Sequence, residues 1–432
     1  MTSDDRTDAA ASPATRLLDP ALRPDPYPLF AELRATPVRR DPTGVWLIST
    51  FHEIQDLLHD PRVSSDARNL VTDTNGPLGP VRADDETFVP SFLTLDPPEH
   101  DRLRRLADRP FAPPHSPHRV EDMREDLARI VGELLDDVTD LRDAAEAAAD
   151  GDPGLCFDLV ERVSYPFPVT VICRLLGVPL ADEPRFRTWA DTLVNSTSGA
   201  TPEERRAGME KVRAAVGALR EYLGELISER RAHPGDDLLS HLALGGGTPE
   251  TTLTHAELVS TAVLLLIAGH ETTVNLIGNG MLTLLRHPRV LAELRADPDL
   301  APRVVEETLR YEPPVQFVPT RTALVDIEVH GVTIPRGEPI WLLLAAGNRD
   351  PLRFTDPDTF DPGRPDLQHL GFGSGIHACY GAPLARLEAR VALTELARRV
   401  TAPRIRVDPP PYRPSPVLRG PRHLLIHHDG VN

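Results

Sequence analysis

Lysine is nearly missing from this chain of 432 residues: Lys211 stands alone among 47 basic side chains, and 65 acidic ones leave a net charge of −18. That balance lacks the electrostatic footprint of a nucleic-acid binder, so nucleic acid is excluded as a partner. Cysteine is scarce as well, with only Cys156, Cys173 and Cys379. Three are too few for a disulfide framework and suit a reducing, cytoplasmic setting. Cys156 and Cys173 sit among apolar residues and read as structural. No apolar run approaches the roughly 18 residues that span a bilayer, and the most apolar stretch, Val259 to Ala268, covers about half of that. Met1 to Thr15 holds Asp, Thr, Ala and Ser without an apolar centre. The head therefore reads as neither signal peptide nor membrane anchor, and residues 1–17 are expected to be disordered.

What the chain does possess is Phe372-Gly373-Ser374-Gly375-Ile376-His377-Ala378-Cys379-Tyr380-Gly381, a cysteine wrapped in glycines ahead of an amphipathic helix that starts near Ala382. Unpaired N–H groups and the dipole at a helix N-terminus favour an anion. They lower the cost of a thiolate, the form of cysteine that ligates metals. Glycines at 373, 375 and 381 permit positive φ and close approach of the backbone to a flat ligand. A porphyrin meets that description. Competing motifs fail on particular residues. A nucleophile elbow needs glycine two positions before and after its serine, where Phe372 and Ile376 flank Ser374. A dinucleotide loop needs a preceding strand, and Asp366-Leu-Gln-His369 is polar. The Cys-x-x-Cys-His of a c-type haem is absent, and His377 with Cys379 offers too few ligands for zinc.

The pattern Phe-Gly-x-Gly-x-His-x-Cys-x-Gly resembles the haem-binding signature of the cytochrome P450 monooxygenases, and further segments agree with it. The resemblance implies a mainly α fold with a smaller β-rich lobe and a single catalytic domain over 18–432. It makes Cys379 the axial ligand of the iron of haem b, with Phe372, Gly373, His377 and Gly381 around the cofactor. The general similarity is to bacterial, actinobacterial members that hydroxylate macrolides and steroids. Electrons must come from an external ferredoxin and ferredoxin reductase, because no flavin or iron–sulfur module fits in the chain.

Periodicity supports that architecture. Pro26 to Ala35 and His52 to His59 read as short helices flanking an apolar strand at Val45 to Thr50. Ser64 to Leu95 reads as a long loop, which in the family covers the substrate. Helical spacing dominates 96–111, 120–138, 158–176, 182–195, 202–231 and 254–286, with solvent loops expected at 144–154 and 245–249. Short strands return at 327–334 and 339–344.

Several constellations carry chemistry by the same resemblance. Ala268-Gly269-His270-Glu271-Thr272-Thr273 matches the acid–alcohol segment of the long helix that crosses the haem. Ala268, Glu271, Thr272 and Asn275 share one face by spacing. Glu271 is expected to relay protons, Thr272 to offer its hydroxyl to oxygen or water, and Gly269 to ease local distortion. His270 points off that face and receives no role. Glu307 and Arg310, completed by Arg364, match a buried structural triad; the Glu-x-x-Arg spacing recurs elsewhere, and the following Tyr311-Glu-Pro-Pro-Val315 selects this copy. His100, Arg104, Arg321 and His377 match the donors to the haem carboxylates. Arg102, Arg105 and Arg109 add positive charge to the face that docks a ferredoxin in the family.

Pocket walls by family position come from the 64–95 loop, the 182–231 helices, Leu264, Ile267, Ala268, Thr272, Val315, Gln316, Val318, Val417 and Leu418. Most are apolar, which implies a lipophilic small molecule of steroid or macrolide type, with Gln316 free to hold one polar group. A haem-thiolate enzyme doing oxidative coupling, desaturation or ring formation is the alternative reading.

Overall fold

The structure, a computed structural model, describes residues 11–71, 78, 90–108, 120–139, 155–195, 202–245, 247–248 and 250–432. Arg109, much of the 64–95 loop and the whole 144–154 connection lie outside the described residues.

Val38–Arg40 and Trp46–Ile48 pair antiparallel, and Trp46–Ile48 pairs parallel with Pro339–Leu342 from the far end of the chain. Val318–Ala323 lies antiparallel on the other side of Pro339–Leu342 and carries Val63–Ser64 at the edge. The two-residue period of a strand sends alternate side chains to opposite faces. Trp46, Ile48, Ile340 and Leu342 join one apolar cluster, while Val45, Leu47, Trp341 and Leu343 join another. Both faces of these central strands are covered, which explains their unbroken apolar runs.

The second cluster overturns one expectation. Pro13–Leu18, which overlaps the end of the stretch read as disordered, is a helix whose Ala14 and Leu17 are buried beside Phe30 and Trp341. Asp41 anchors its start, accepting from the Ala14 N–H and the Ser12 hydroxyl, each at 2.9 Å. Two apolar residues one turn apart suffice to dock so short a helix once the sheet is present. Composition alone could not show that surface.

The helical body packs around His255–Arg286, which contacts Pro166–Leu176, Pro202–Ala232, Ala301–Tyr311 and Ala382–Arg399. Thr254 and Glu257 close its N-terminus with a reciprocal capping box. Nearly every residue from His270 to Leu284 is buried, so this helix is apolar on all sides because protein surrounds it. Among the described residues it is the one helix long and apolar enough to cross a membrane, and 67% of that apolar window is buried inside the fold. A Cβ on Gly269 would lie 2.9 Å from Ile172 Cδ1. Glycine there sets the close approach of two helices, and the helix is continuous through it.

Prolines reshape the approach to the site. Val315 makes only an isolated bridge to Leu418, and the regular strand starts at Val318. Residues 327–334 form a hairpin that turns at His330 and Gly331, with φ of 51° and 72°.

Candidate active site

The cysteine loop is built by backbone geometry. Gly373 and Gly375 adopt φ of 66° and 69°, and a Cβ on Gly375 would fall 2.2 Å from the Leu58 carbonyl oxygen. The chain folds back so that the Cys379 N–H donates to the Phe372 carbonyl at 2.9 Å. Gly381 departs from expectation, with an ordinary φ of −82°. Its role is space: among the described residues beyond its chain neighbours, no atom lies within 4 Å of its missing Cβ, and it lines the central cavity. Cys379 is largely exposed, but to that internal cavity. Burial pushes its thiol up, while the Gly381 N–H, Arg104, Arg386 and the Ala382 N–H pull the other way. The protein thus supplies part of what a thiolate needs and leaves the rest to a positive partner on the cavity side.

Beside the loop, cationic and donor groups converge. The His100 and His377 rings sit 4.6 Å apart, and His100 Nε2 and His377 Nδ1 are buried without a partner among the described residues. His377 is held down to about 3 by burial and by the nearby Arg321, His100 and Arg104. Burial lowers buried Arg321 to about 10. Arg104 Nη1 donates to the Ala378 carbonyl at 3.0 Å. Crowded positive groups with orphaned nitrogens call for carboxylates of a ligand. A thiol, a glycine-lined gap and this donor cluster together fit a haem.

Behind the loop, Glu307, Arg310 and Arg364 form the expected buried triad. Arg310 grips Glu307 through Nε at 2.7 Å and Nη2 at 2.8 Å, and Arg364 Nε reaches Glu307 Oε1 at 3.1 Å. Arg310 also donates to the carbonyls of Asn348, Pro357 and Thr359. Asn348 then accepts the Leu370 N–H at 2.7 Å, which ties the triad to the entry of the cysteine loop.

Opposite the cysteine, Leu264, Ala268, Thr272, Val315, Val318, Val417 and Leu418 line a cavity of about 470 Å³. Two expected wall residues do not. Ile267 packs into the helical core. Gln316 donates from Nε2 to the Pro313 carbonyl at 2.7 Å, beside a separate small gap near Leu17 and Arg23. Among the described residues, the 182–231 helices contribute no wall either; Ile172 and Leu175 of the preceding helix do.

The acid–alcohol segment is split by the fold. Thr272 faces the cavity, and its hydroxyl donates to the Ala268 carbonyl at 2.9 Å, which leaves its oxygen lone pairs available to accept. Glu271 turns away from the cavity and accepts from Arg413 Nη1 at 3.0 Å. His270, assigned no role from its spacing, lies 3.4 Å from the other carboxylate oxygen. Nothing in the proline-rich 409–416 stretch marked Arg413 as its partner.

Glu388 was missed altogether. It is fully buried and lines the cavity, its Oε2 has no partner among the described residues, and burial raises its carboxyl well above the usual range. The available signal was a carboxyl placed on the apolar stripe of Leu384 and Val391. On the surface beside the loop, Arg102 is engaged by Glu257, and Arg105 is exposed.

Comparison with known proteins agrees with this geometry. The family model for Cytochrome P450 matches residues 92–423. Cytochrome P450 monooxygenase PikC of Streptomyces venezuelae is 41% identical over 411 residues, which cover 93% of this chain and 91% of that protein. Vitamin D(3) 25-hydroxylase of Pseudonocardia autotrophica is 39% identical over 403 residues, 92% of each. The crystal structure of ligand-free Mycobacterium smegmatis CYP164A2 superposes with a TM-score of 0.82 at 40% identity, covering 96% of this chain and 99% of that one. The chain belongs to the cytochrome P450 family and is a haem-dependent monooxygenase of the bacterial type.

Proposed function

We propose that this monooxygenase hydroxylates a lipophilic small molecule of steroid or macrolide class with O2, using electrons from an external ferredoxin and its reductase. The observation that carries the reading is the placement of the Cys379 thiol and Thr272 on one largely apolar cavity. Haem b held by a cysteine thiolate supplies O–O cleavage and oxygen insertion into a C–H bond. Cys379 would hold it through sulfur, with His100, Arg104, Arg321 and His377 on its carboxylates. Phe372, Gly373, Gly381 and Ala268 would flank its faces.

Apolar walls select a substrate by shape and exclude bulk water. The 25-hydroxylase relative, whose name specifies vitamin D(3), supports that class. Thr272 positions a water or hydroxyl on the cavity side, and Glu271 feeds protons toward it. Exposed Arg105, on the same helix as Arg104, supplies charge for an acidic ferredoxin. The scarcity of cysteine supports a cytoplasmic location.

Steroids and macrolides screened against the ferric protein should include one that displaces water from iron and shifts the Soret band to the high-spin form. That compound should yield an oxygenated product with ferredoxin and reductase present. Thr272→Ala should divert reducing equivalents into peroxide, and Cys379→Ala should abolish the carbonyl spectrum of a thiolate-ligated haem. A desaturated or coupled product instead would select the alternative chemistry, and a normal thiolate spectrum in Cys379→Ala would sink the ligand assignment.

A further inference from the structure

His270 Nδ1 lies 2.6 Å from the Leu266 carbonyl oxygen. A carbonyl can only accept, so Nδ1 carries a hydrogen. The other ring nitrogen, Nε2, sits 3.4 Å from Glu271 Oε1, with both side chains buried. Neither atom has another hydrogen-bond partner among the described residues. A neutral ring in that tautomer facing an ionised carboxylate would set two lone pairs against each other in a water-poor site, which leaves two acceptors unsatisfied. One proton between them removes the conflict.

We propose that His270 and Glu271 hold a single proton between Nε2 and Oε1, and that His270 is the positioning residue that stores it for delivery through Glu271. The idea deepens the proton-feeding reading of Glu271 above and rests on it. Arg413 pins the second carboxylate oxygen at 3.0 Å, which orients Oε1 toward the ring. Burial pushes the Glu271 carboxyl up, but His270, Arg413 and Arg187 outweigh it and hold the group below the usual range. The surrounding groups come from several elements. Tyr165 lies edge-on to His270 at 6.2 Å with its hydroxyl on Glu183 at 3.0 Å. Asp191, partly exposed on the Glu183–Asn195 helix, is pushed up by burial and by Glu271.

In delivery the Nε2–H bond breaks, Nε2 keeps the electron pair, and an O–H bond forms at Oε1. The protonated carboxyl, its negative charge and hence its hold on Arg413 weakened, rotates toward the Thr272 side and releases that proton there to a water or hydroxyl. Solvent water restores the proton to Nε2 and leaves hydroxide to bulk buffer. The net change is one proton moved from solvent to the cavity.

The test is nitrogen NMR of histidine-labelled, haem-loaded protein in its diamagnetic ferrous carbonyl state at pH 7.5, together with infrared detection of labelled glutamate carboxyls. Loss of one resonance in His270→Gln assigns the ring. Either both ring nitrogens protonated, or a protonated carboxyl that vanishes in Glu271→Gln, supports the shared proton. In Glu271→Gln a doubly protonated ring should revert to one bare nitrogen, with its Nε2 resonance shifted into the unprotonated range. A bare Nε2 beside an ionised Glu271 in the wild-type protein overturns the proposal. These spectra need no substrate. A protein that binds haem and makes no oxygenated product would refute the proposed function while leaving the proton assignment to be judged by NMR alone.

Discussion

Arg104 and Ala378 meet beneath the site: Nη1 donates to the Ala378 carbonyl at 3.0 Å, so the helix Glu99–Asp108 grips the residue before Cys379. The same guanidinium stacks over Phe92 and Tyr380, 5.5 and 5.4 Å from the ring centroids. Removing it in Arg104→Ala should cost about 1.5–3 kcal/mol of stability, the range for a hydrogen bond from a charged donor, and should loosen haem retention. Arg104→Lys should fall between, since it keeps the charge and loses the planar fork. Urea denaturation and the haem-to-protein ratio after gel filtration check both effects. Wild-type values for Arg104→Ala would contradict the assignment.

Gly375 and Gly381 should part company on substitution. Alanine at 375 must hold a left-handed backbone, costing about 1–2 kcal/mol, and must also displace the Leu58 carbonyl 2.2 Å away. Gly375→Ala should therefore lose the thiolate carbonyl spectrum. Alanine at 381 meets neither obstacle. Gly381→Ala should keep the stability of the haem-free protein within about 0.5 kcal/mol, yet bind haem more weakly because its methyl enters the gap. Equal behaviour in the two variants would falsify the division of roles.

Acid should unlock Glu306. This carboxylate is pushed up by burial but is held to about 2 by hydrogen bonds from His369 and Arg386. The Arg386 guanidinium in turn lies 4.5 Å from the Phe372 ring centroid. A depressed carboxylate stabilises the fold above its unfolded value, near 4.5, and that contribution drains away as pH falls toward about 2. Stability curves of wild type and Glu306→Gln should therefore converge over this window. A gap that persists unchanged down to pH 2.5 would exclude the linkage.

Glu388 should show the opposite sign. Its carboxyl is raised by burial, so the folded protein keeps a proton that the unfolded chain releases above about 4.5. Wild-type stability should then fall as pH rises from 5 to 8. Glu388→Gln imitates the protonated acid and should lose this slope, gaining stability over wild type at pH 8 and little at pH 4. Parallel curves would mean that Glu388 is ionised in the native state.

The cysteine loop and the buried triad were legible because their chemistry is local. Gly373, Gly375 and Cys379 lie within seven residues, and Glu307 and Arg310 share one turn of helix. The long helices were legible too, since apolar spacing repeats every few residues. Gln316 and Ile267 were misplaced because family position gives a place in the fold without saying which way each side chain turns there. Gln316 found the Pro313 carbonyl three residues away. Pro13–Leu18 was hidden by the polar stretch before it.

Residue order alone determined that a cysteine would precede a helix in a glycine-rich loop, because φ preferences and helix termini are properties of a few neighbouring residues. It also determined that an apolar helix with Thr272 at its middle would form. Only the folded chain decided that Glu271 would face Arg413, 142 residues away, that His270 would stand against Glu271, and that Glu388 would be sealed from water. Burial and charge pairing depend on which distant surfaces meet, and those energies do not exist until the helices have packed.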